Sequence, residues 1–370
     1  MHRHIGKFAN AATRVAAIVV SLLLAAAQAR ADGANPNDTA RYLAGMTPSA
    51  GSPLAPLTNE PAWQRHARFF DNAFGQLEQS QLAKIRAWSN TNLPAARPTV
   101  FYMFSGPDFL YADAFYPKAT TYVLSALEPV GSVPDFTRAP RGNIGPTLYH
   151  VEQSLSSILT FSFFITKQMR MGLSAGPGQT SGVLPILYVF LARSGKTLRD
   201  VSLVTLDANG TVQPKGQPAG RNSAPGVRIL FAGSDGVEKT LYYFTTNLAN
   251  DGVKGGGFLK FCETLAPADS LVKSASYLMH AGDFSSVRDF LLAKSAALIQ
   301  DDSGIPLRYF DIDKWKFSPF GRYLGPIAEF PGRYQPNYAE LFRKSQPMDF
   351  GIGYRWRTHE THLLLAIKNP

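Results

Sequence analysis

The sequence predicts an α/β fold: a mixed sheet with a parallel strand-helix-strand unit, antiparallel middle strands, a helical N-terminal prefix and a C-terminal hairpin. Three observations carry this prediction. Two apolar runs, Val100 to Phe104 and Thr121 to Leu127, flank a short aromatic helical stretch. The segment from Val201 to Leu248 is strand-like and is punctuated by Asn209-Gly210 and Asp235-Gly236, dipeptides that favour tight hairpin turns. Ahead of both, from about Pro61 to Trp88, the apolar residues Trp63, Phe69, Phe70, Phe74 and Leu77 recur at helical spacing.

Taken in order, residues 1–31 have the form of an export signal. A basic leader with Arg3, Lys7 and Arg14 runs into the apolar stretch Val15 to Ala27 and ends at Ala29-Arg30-Ala31, so the mature chain is expected to begin at Asp32. That apolar core is shorter than the roughly 20 residues a spanning helix needs, and no later segment of such length is free of charges or breakers, so no transmembrane segment is expected after cleavage. Residues 32–57 are rich in Pro, Ala, Ser and Asn and read as a loose lead-in with at most one short helix. The prefix helix follows, with Asn59 placed as its cap, and Pro94 and Pro98 close it.

Val100 to Phe104 lacks polar alternation, the pattern of a strand buried on both faces. Ser105 then reads as a helix N-cap, with Pro107 in the first turn and Asp108 near the positive helix end. Thr121 to Leu127, ending in Glu128-Pro129, supplies a second strand, parallel to the first through a right-handed crossover. A long apolar helix is expected from about Glu152 to Met171, a Gly-rich loop after it, and another helix over Val183 to Arg193, kinked or begun at Pro185. Beyond the antiparallel middle, Ser274 to Met279 looks like a strand leading into the turn "HAGDF" and a helix over "SSVRDFLLAKSA". Phe350, Ile352, Tyr354 and Trp356 alternate strictly before "THLLLAI", which predicts a terminal hairpin about Thr358 to Glu360. The expected organisation is a signal over 1–31, a lead-in and helical prefix over 32–97, and a single α/β domain over 98–370.

Composition narrows the function classes. Cys262 is the only thiol, so no internal disulfide forms and an exported chain must rest on its core, for which 45% hydrophobic and 12% aromatic residues suffice. The formal charge of +10 includes the four cations of the leader and is otherwise scattered, without the basic runs of nucleic-acid or membrane-surface binding. No nucleic-acid partner is expected, and the sequence leaves the oligomeric state open.

Ligands in sheets with parallel strands sit beyond the strands' carboxyl ends, where helix N-termini point free N–H groups. That rule selects Ser105, Gly106 and Asp108 after the first strand, Glu128 after the second, and His280 and Asp283, with Gly282, after the later one. Glycine lets a ligand approach the backbone, and the hydroxyl, imidazole and acids bind polar groups or move protons. Capping accounts equally well for Ser105, Asp108 and Asp283. His150 and Glu152, at a helix start, and Asp301 and Asp302, in an Asp-Asp-Ser-Gly turn, form a second tier.

Other motifs are weaker. Gly172 to Gly176 matches the G-x-S-x-G of a nucleophile elbow around Ser174, but a helix precedes it and Pro177-Gly178 follows where a helix must begin. "SGKT", Ser194 to Thr197, has Phe190 where a phosphate loop needs its leading Gly. "HETH", His359 to His362, lacks the spacing of a zinc-protease helix, so no metal is predicted, nor any cofactor.

The run "FYMFSGPDFLYADAFYPKATTYVLSALEPVG" with the close "FGIGYRWRTHETHLLLAI" resembles a group of secreted bacterial proteins without an assigned activity; the similarity covers most of the mature chain and implies no chemistry. Separately, a strand, turn, helix and second strand ending in Glu128 is similar in layout to nucleotide-binding methyltransferases, where a Gly-rich turn meets the cofactor and the acid holds its ribose. This chain has a single Gly106 there, with Pro107 beside it. The function expected first is an exported, periplasmic or secreted protein that binds a small polar ligand at its strand ends. The alternatives are a hydrolase using His280 with Asp108, Glu128 or Asp283, and a non-enzymatic envelope interaction protein.

Overall fold

The computed structural model describes residues 34–93, 95–138, 144–165, 182–217 and 220–369. The leader over residues 1–31 and the Gly172 to Gly176 pattern lie outside them.

Pro36 and Pro61 occupy first-turn positions and start α1 (Pro36–Leu43) and α2 (Pro61–Leu77), as their fixed φ allows. A π turn, Glu78–Leu82, joins α2 to α3 (Ala83–Asn92), so the expected prefix helix is one rod with a local widening. Strand β1 (Thr99–Tyr102) is buried throughout, and α4 (Phe109–Phe115) carries the chain back to β2 (Thr121–Ala126), parallel to β1 with Thr121 opposite Thr99. Asp108 caps α4 by accepting the Tyr111 N–H at 3.2 Å, three residues later than the predicted cap Ser105.

Helix α5 (Gly145–Phe161) ends at Ser162, which is left-handed at φ 65, so the long helix expected to Met171 stops ten residues sooner. After α6 (Leu184–Arg193) come β3 (Thr197–Leu206), β4 (Val212–Pro214), β5 (Ala224–Ala232) and β6 (Glu238–Thr245). Strands β3, β5 and β6 are antiparallel as predicted, and β6 then lies parallel to β2. Helices α7 (Asn250–Gly255) and α8 (Phe258–Leu265) lead to β7 (Ala268–Val272), followed by α9 (Ser285–Lys294), β8 (Ser295–Gln300), β9 (Trp315–Gly321), α10 (Pro336–Leu341) and β10 (His362–Lys368).

The ten strands of the described residues form one sheet in the order β4-β3-β5-β6-β2-β1-β7-β8-β10-β9. Strands β6, β2, β1, β7 and β8 are parallel, and β10 enters antiparallel between β8 and β9. The chain steps outward from β1 through β2 to β6 on one side and from β7 to β8 on the other, so the order reverses between β1 and β7. This is the arrangement of doubly wound sheets. Alternate β1 residues feed two cores: Val100 and Tyr102 meet the prefix helices with Tyr42, Trp63 and Phe70, while Phe101 packs with Phe244, Phe258 and Phe290. The prefix thus shares its core with the sheet.

Two predicted strands moved. Ser274 to Met279 is irregular, and the strand is β7, six residues earlier; its buried Asp269 and Ser270 disguise it as non-apolar. In the terminal region, β10 pairs with β9 and β8, and residues 350–356 contribute one isolated bridge, Ile352 to Arg355, where the hairpin's first strand was expected. The buried Gly351, whose missing Cβ leaves room for the Trp356 backbone, shows how tightly that segment folds back on itself.

Candidate functional site

A cavity of about 480 Å³ opens at the carboxyl ends of β1, β2, β6 and β7, where the strand order reverses. Ser105, Gly106 and Asp108 from the β1–α4 turn line it, as does Glu128 after β2. Its rim is apolar, with Phe104, Phe163, Phe164 and Phe284 among the wall residues. Ser125 donates to the Met103 carbonyl at 2.6 Å and ties the ends of β2 and β1 together beneath it.

The floor is a buried polar cluster that the sequence did not announce. Lys273, the first residue after β7, places Nζ 2.9 Å from Asp108 Oδ2, with the two side chains 1% and 2% exposed. Tyr102 Oη donates to the same carboxylate oxygen at 2.8 Å. Lys273 also donates to the Ser162 carbonyl and stands 3.8 Å from the centre of the Tyr111 ring. Burial pushes the Lys273 ammonium below its usual pKa, against the pull of Asp108, and pushes the Tyr102 phenol well up. The carboxylate and the ammonium neutralise each other, so the floor is polar and internally satisfied.

The wall above Lys273 is held in a backbone conformation that side chains disfavour. Ser274, Ser276 and Tyr277 are all left-handed, at φ 52, 51 and 54, each at a cost of about 1 kcal/mol or more. Groups after β8 impose it. Asp301 accepts the Ser274 N–H at 2.9 Å, Ser303 accepts the Ala275 N–H at 2.8 Å, and Asp302 accepts Tyr277 Oη at 2.9 Å. Tyr354 Oη closes the clamp on the Ser274 carbonyl at 3.0 Å. Burial and the neighbouring Asp302 push the Asp301 carboxyl up. Within this clamp the buried Ser274 Oγ has no hydrogen-bond partner among the described residues. A hydroxyl so placed at a cavity wall is a candidate ligand contact.

The remaining predicted residues go elsewhere. His280 is buried away from the cavity lining; its Nε2–H donates to the Asp302 carbonyl at 3.2 Å, and burial lowers its pKa to about 4. Asp283 is exposed, and the Ser286 N–H in the first turn of α9 is met by Asn250, whose Oδ1 accepts it at 2.9 Å. A hydrolytic group of His280 with Asp108, Glu128 or Asp283 is therefore not assembled: the misplaced strand had put its end at His280 when the real end is Lys273. His150 lies on α5 outside the cavity, and Glu152 pairs with His66 at 2.8 Å. Asp301 and Asp302 form a buried turn that shapes the wall from behind. Of the "HETH" residues, His359 is exposed beside Glu360, while His362 is buried with Nε2 3.1 Å from Asp302. No group of three His, Cys, Asp or Glu able to hold a metal ion occurs among the described residues, and none of their helices is long and apolar enough to cross a membrane.

Lys273 and Ser274 were missed although one signal pointed to them, a lysine directly after the short stretch "ADSLV". Asp269 hides that strand because it is buried for a structural purpose. It accepts the N–H groups of Arg97 at 2.7 Å and Ala297 at 3.0 Å, and burial raises its carboxyl to about 6. No protein-family model, no curated protein and no solved structure matches this chain.

Proposed function

We propose that the protein binds a small ligand in the cleft between the β1–α4 turn and the Ser274 loop, its polar end toward Ser274, Glu128 and Gly106 and its apolar part against the phenylalanine rim. The observation that carries this is the unpartnered Ser274 hydroxyl, held in a left-handed backbone at the point where the strand order reverses. A screen of polar metabolites by thermal unfolding tests it, because a ligand at 100 times its Kd stabilises by about 2.7 kcal/mol. The expected hit loses about tenfold in affinity in Ser274→Ala. Hits that stabilise the wild type, Ser274→Ala and Glu128→Gln alike bind elsewhere and overturn the proposal.

A second reading is favoured by the strand order itself. The block β6-β2-β1-β7-β8 repeats the order of nucleotide-binding sheets, and Glu128 follows the second strand, where the methyltransferase-like layout expects an acid on a ribose. A nucleoside that stabilises the wild type and not Glu128→Gln selects this reading. The leader supports export to the periplasm or beyond, and N-terminal sequencing of the mature protein tests it, with Asp32 expected first.

A further inference from the structure

A second concavity, of about 390 Å³, lies at the opposite, amino end of β2 and β6, bounded by the π turn, the α6–β3 turn and the β5–β6 turn. Its lining is charged. Lys196 and Asp113 form an ion pair at 2.8 Å with side chains 9% and 8% exposed. Lys239, 2% exposed, donates to the Pro117 carbonyl at 2.6 Å, and among the described residues no carboxylate oxygen lies within 4.0 Å of it. An ammonium has three donors, so the Pro117 bond leaves two to be met. Burial and the nearby Lys196 push the Lys239 pKa down, against Asp113 and Asp235. Lys196 thus has Asp113 in direct contact, whereas Lys239 has none of the lining carboxylates, Glu78, Asp113 and Asp235, within ion-pair distance. Arg86, paired with Glu78, and Arg193, paired with Asp71 at 2.7 Å, add cations to the same lining.

The π turn supplies an independent pointer. Single π turns inside helices are frequent at functional sites, and this one puts Glu78 and Leu82 on the pocket wall. We propose that this pocket binds a small oxyanion of the phosphate type, with Lys239 as its principal donor. A compact lysine charge suits a phosphate oxygen, and a bound anion completes the second ammonium's partners and relieves its repulsion from Lys196. The volume holds a phosphate together with a small group attached to it.

The test is titration calorimetry of the full mature chain with inorganic phosphate at constant ionic strength, with chloride as the control anion. Saturable binding to the wild type is expected, weakened about tenfold or more in Lys239→Gln. Circular dichroism and the unfolding midpoint check that this variant is folded. If it is not, Arg86→Gln, at a side chain near the surface, replaces it, with a severalfold weakening expected. No saturable binding to the wild type, an equal response to chloride, or unchanged phosphate affinity in the folded variant overturns the proposal. Ligands of the first cleft are read separately through Ser274→Ala, which should leave phosphate affinity unchanged.

Discussion

Lys273 and Asp108 meet at 2.9 Å with both side chains almost wholly removed from water, and removing one partner is a different event from removing both. Lys273→Met leaves a buried carboxylate with the Tyr102 hydroxyl and one backbone N–H, and a loss of about 3–5 kcal/mol is expected. Adding Asp108→Asn removes the stranded charge, so the double variant should recover a large part of that loss in urea unfolding. A single substitution that costs under about 1 kcal/mol would mean the pair is solvated. His280 behaves differently because its folded pKa, about 4, lies below the ordinary 6.5. The unfolded chain therefore takes up the proton first, and stability is lost as pH falls from 6.5 to 4. Asp269, raised to about 6 from 3.8, works in the opposite sense: the folded chain protonates first, and stability is gained as pH falls through 6. Unfolding of wild type and His280→Gln across this range should show the wild type's advantage shrinking by about 2–3 kcal/mol toward pH 4. A pH-independent difference would place the imidazole in water.

The turns that build the cleft differ in how far the sequence discloses them. "FSGPDF" is legible as a strand-to-helix turn because Gly and Pro each have one local purpose there, a φ of 58 at Gly106 and a fixed φ at Pro107, although the cap expected at Ser105 is supplied by Asp108. The Ser274 loop is not legible, since serine has no left-handed preference and its conformation is imposed by Asp301 and Ser303 from another strand end. Gly106 and Gly182 show how local and tertiary demands separate. At Gly106 an added Cβ meets nothing nearer than 4.0 Å, so Gly106→Ala should cost only the left-handed backbone penalty, about 1–2 kcal/mol. At Gly182, φ 69, the same Cβ would sit 2.4 Å from the Pro129 carbonyl oxygen. There the residues beside it are joined, with Val183 and Leu184 donating to the Pro129 and Val130 carbonyls at 3.0 Å each. Gly182→Ala must break this junction and should cost well over about 3 kcal/mol in unfolding free energy. Equal costs at the two sites would refute the distinction.

Across the whole molecule, the parallel unit from β1 to β2 was readable because its contacts are local and its connection short enough to have one handedness. The order of the other strands was not, because it depends on pairings between segments far apart in the chain, for which hydrophobic period carries no address. β10 is the strongest case. Its apolar run signals a strand, yet nothing in it says that β8 will lie on one side and β9 on the other. That place between β8 and the edge strand β9 makes its removal severe. Leu363, Leu364, Leu365 and Ala366 are all buried, and at about 1.5–3 kcal/mol per large side chain their loss approaches the 5–15 kcal/mol that holds a typical domain together. Ending the chain after Glu360 also leaves β8 and β9 without the ladder between them, so the product should be insoluble or show no cooperative unfolding transition. Deleting β4 is the matched control, because that short strand pairs with β3 alone and its loss only makes β3 the new edge. This deletion should keep a cooperative transition, lowered by about 2 kcal/mol or less. A cooperative fold without β10 would mean that this end of the sheet is dispensable, and loss of the transition without β4 would mean that the opposite edge is not.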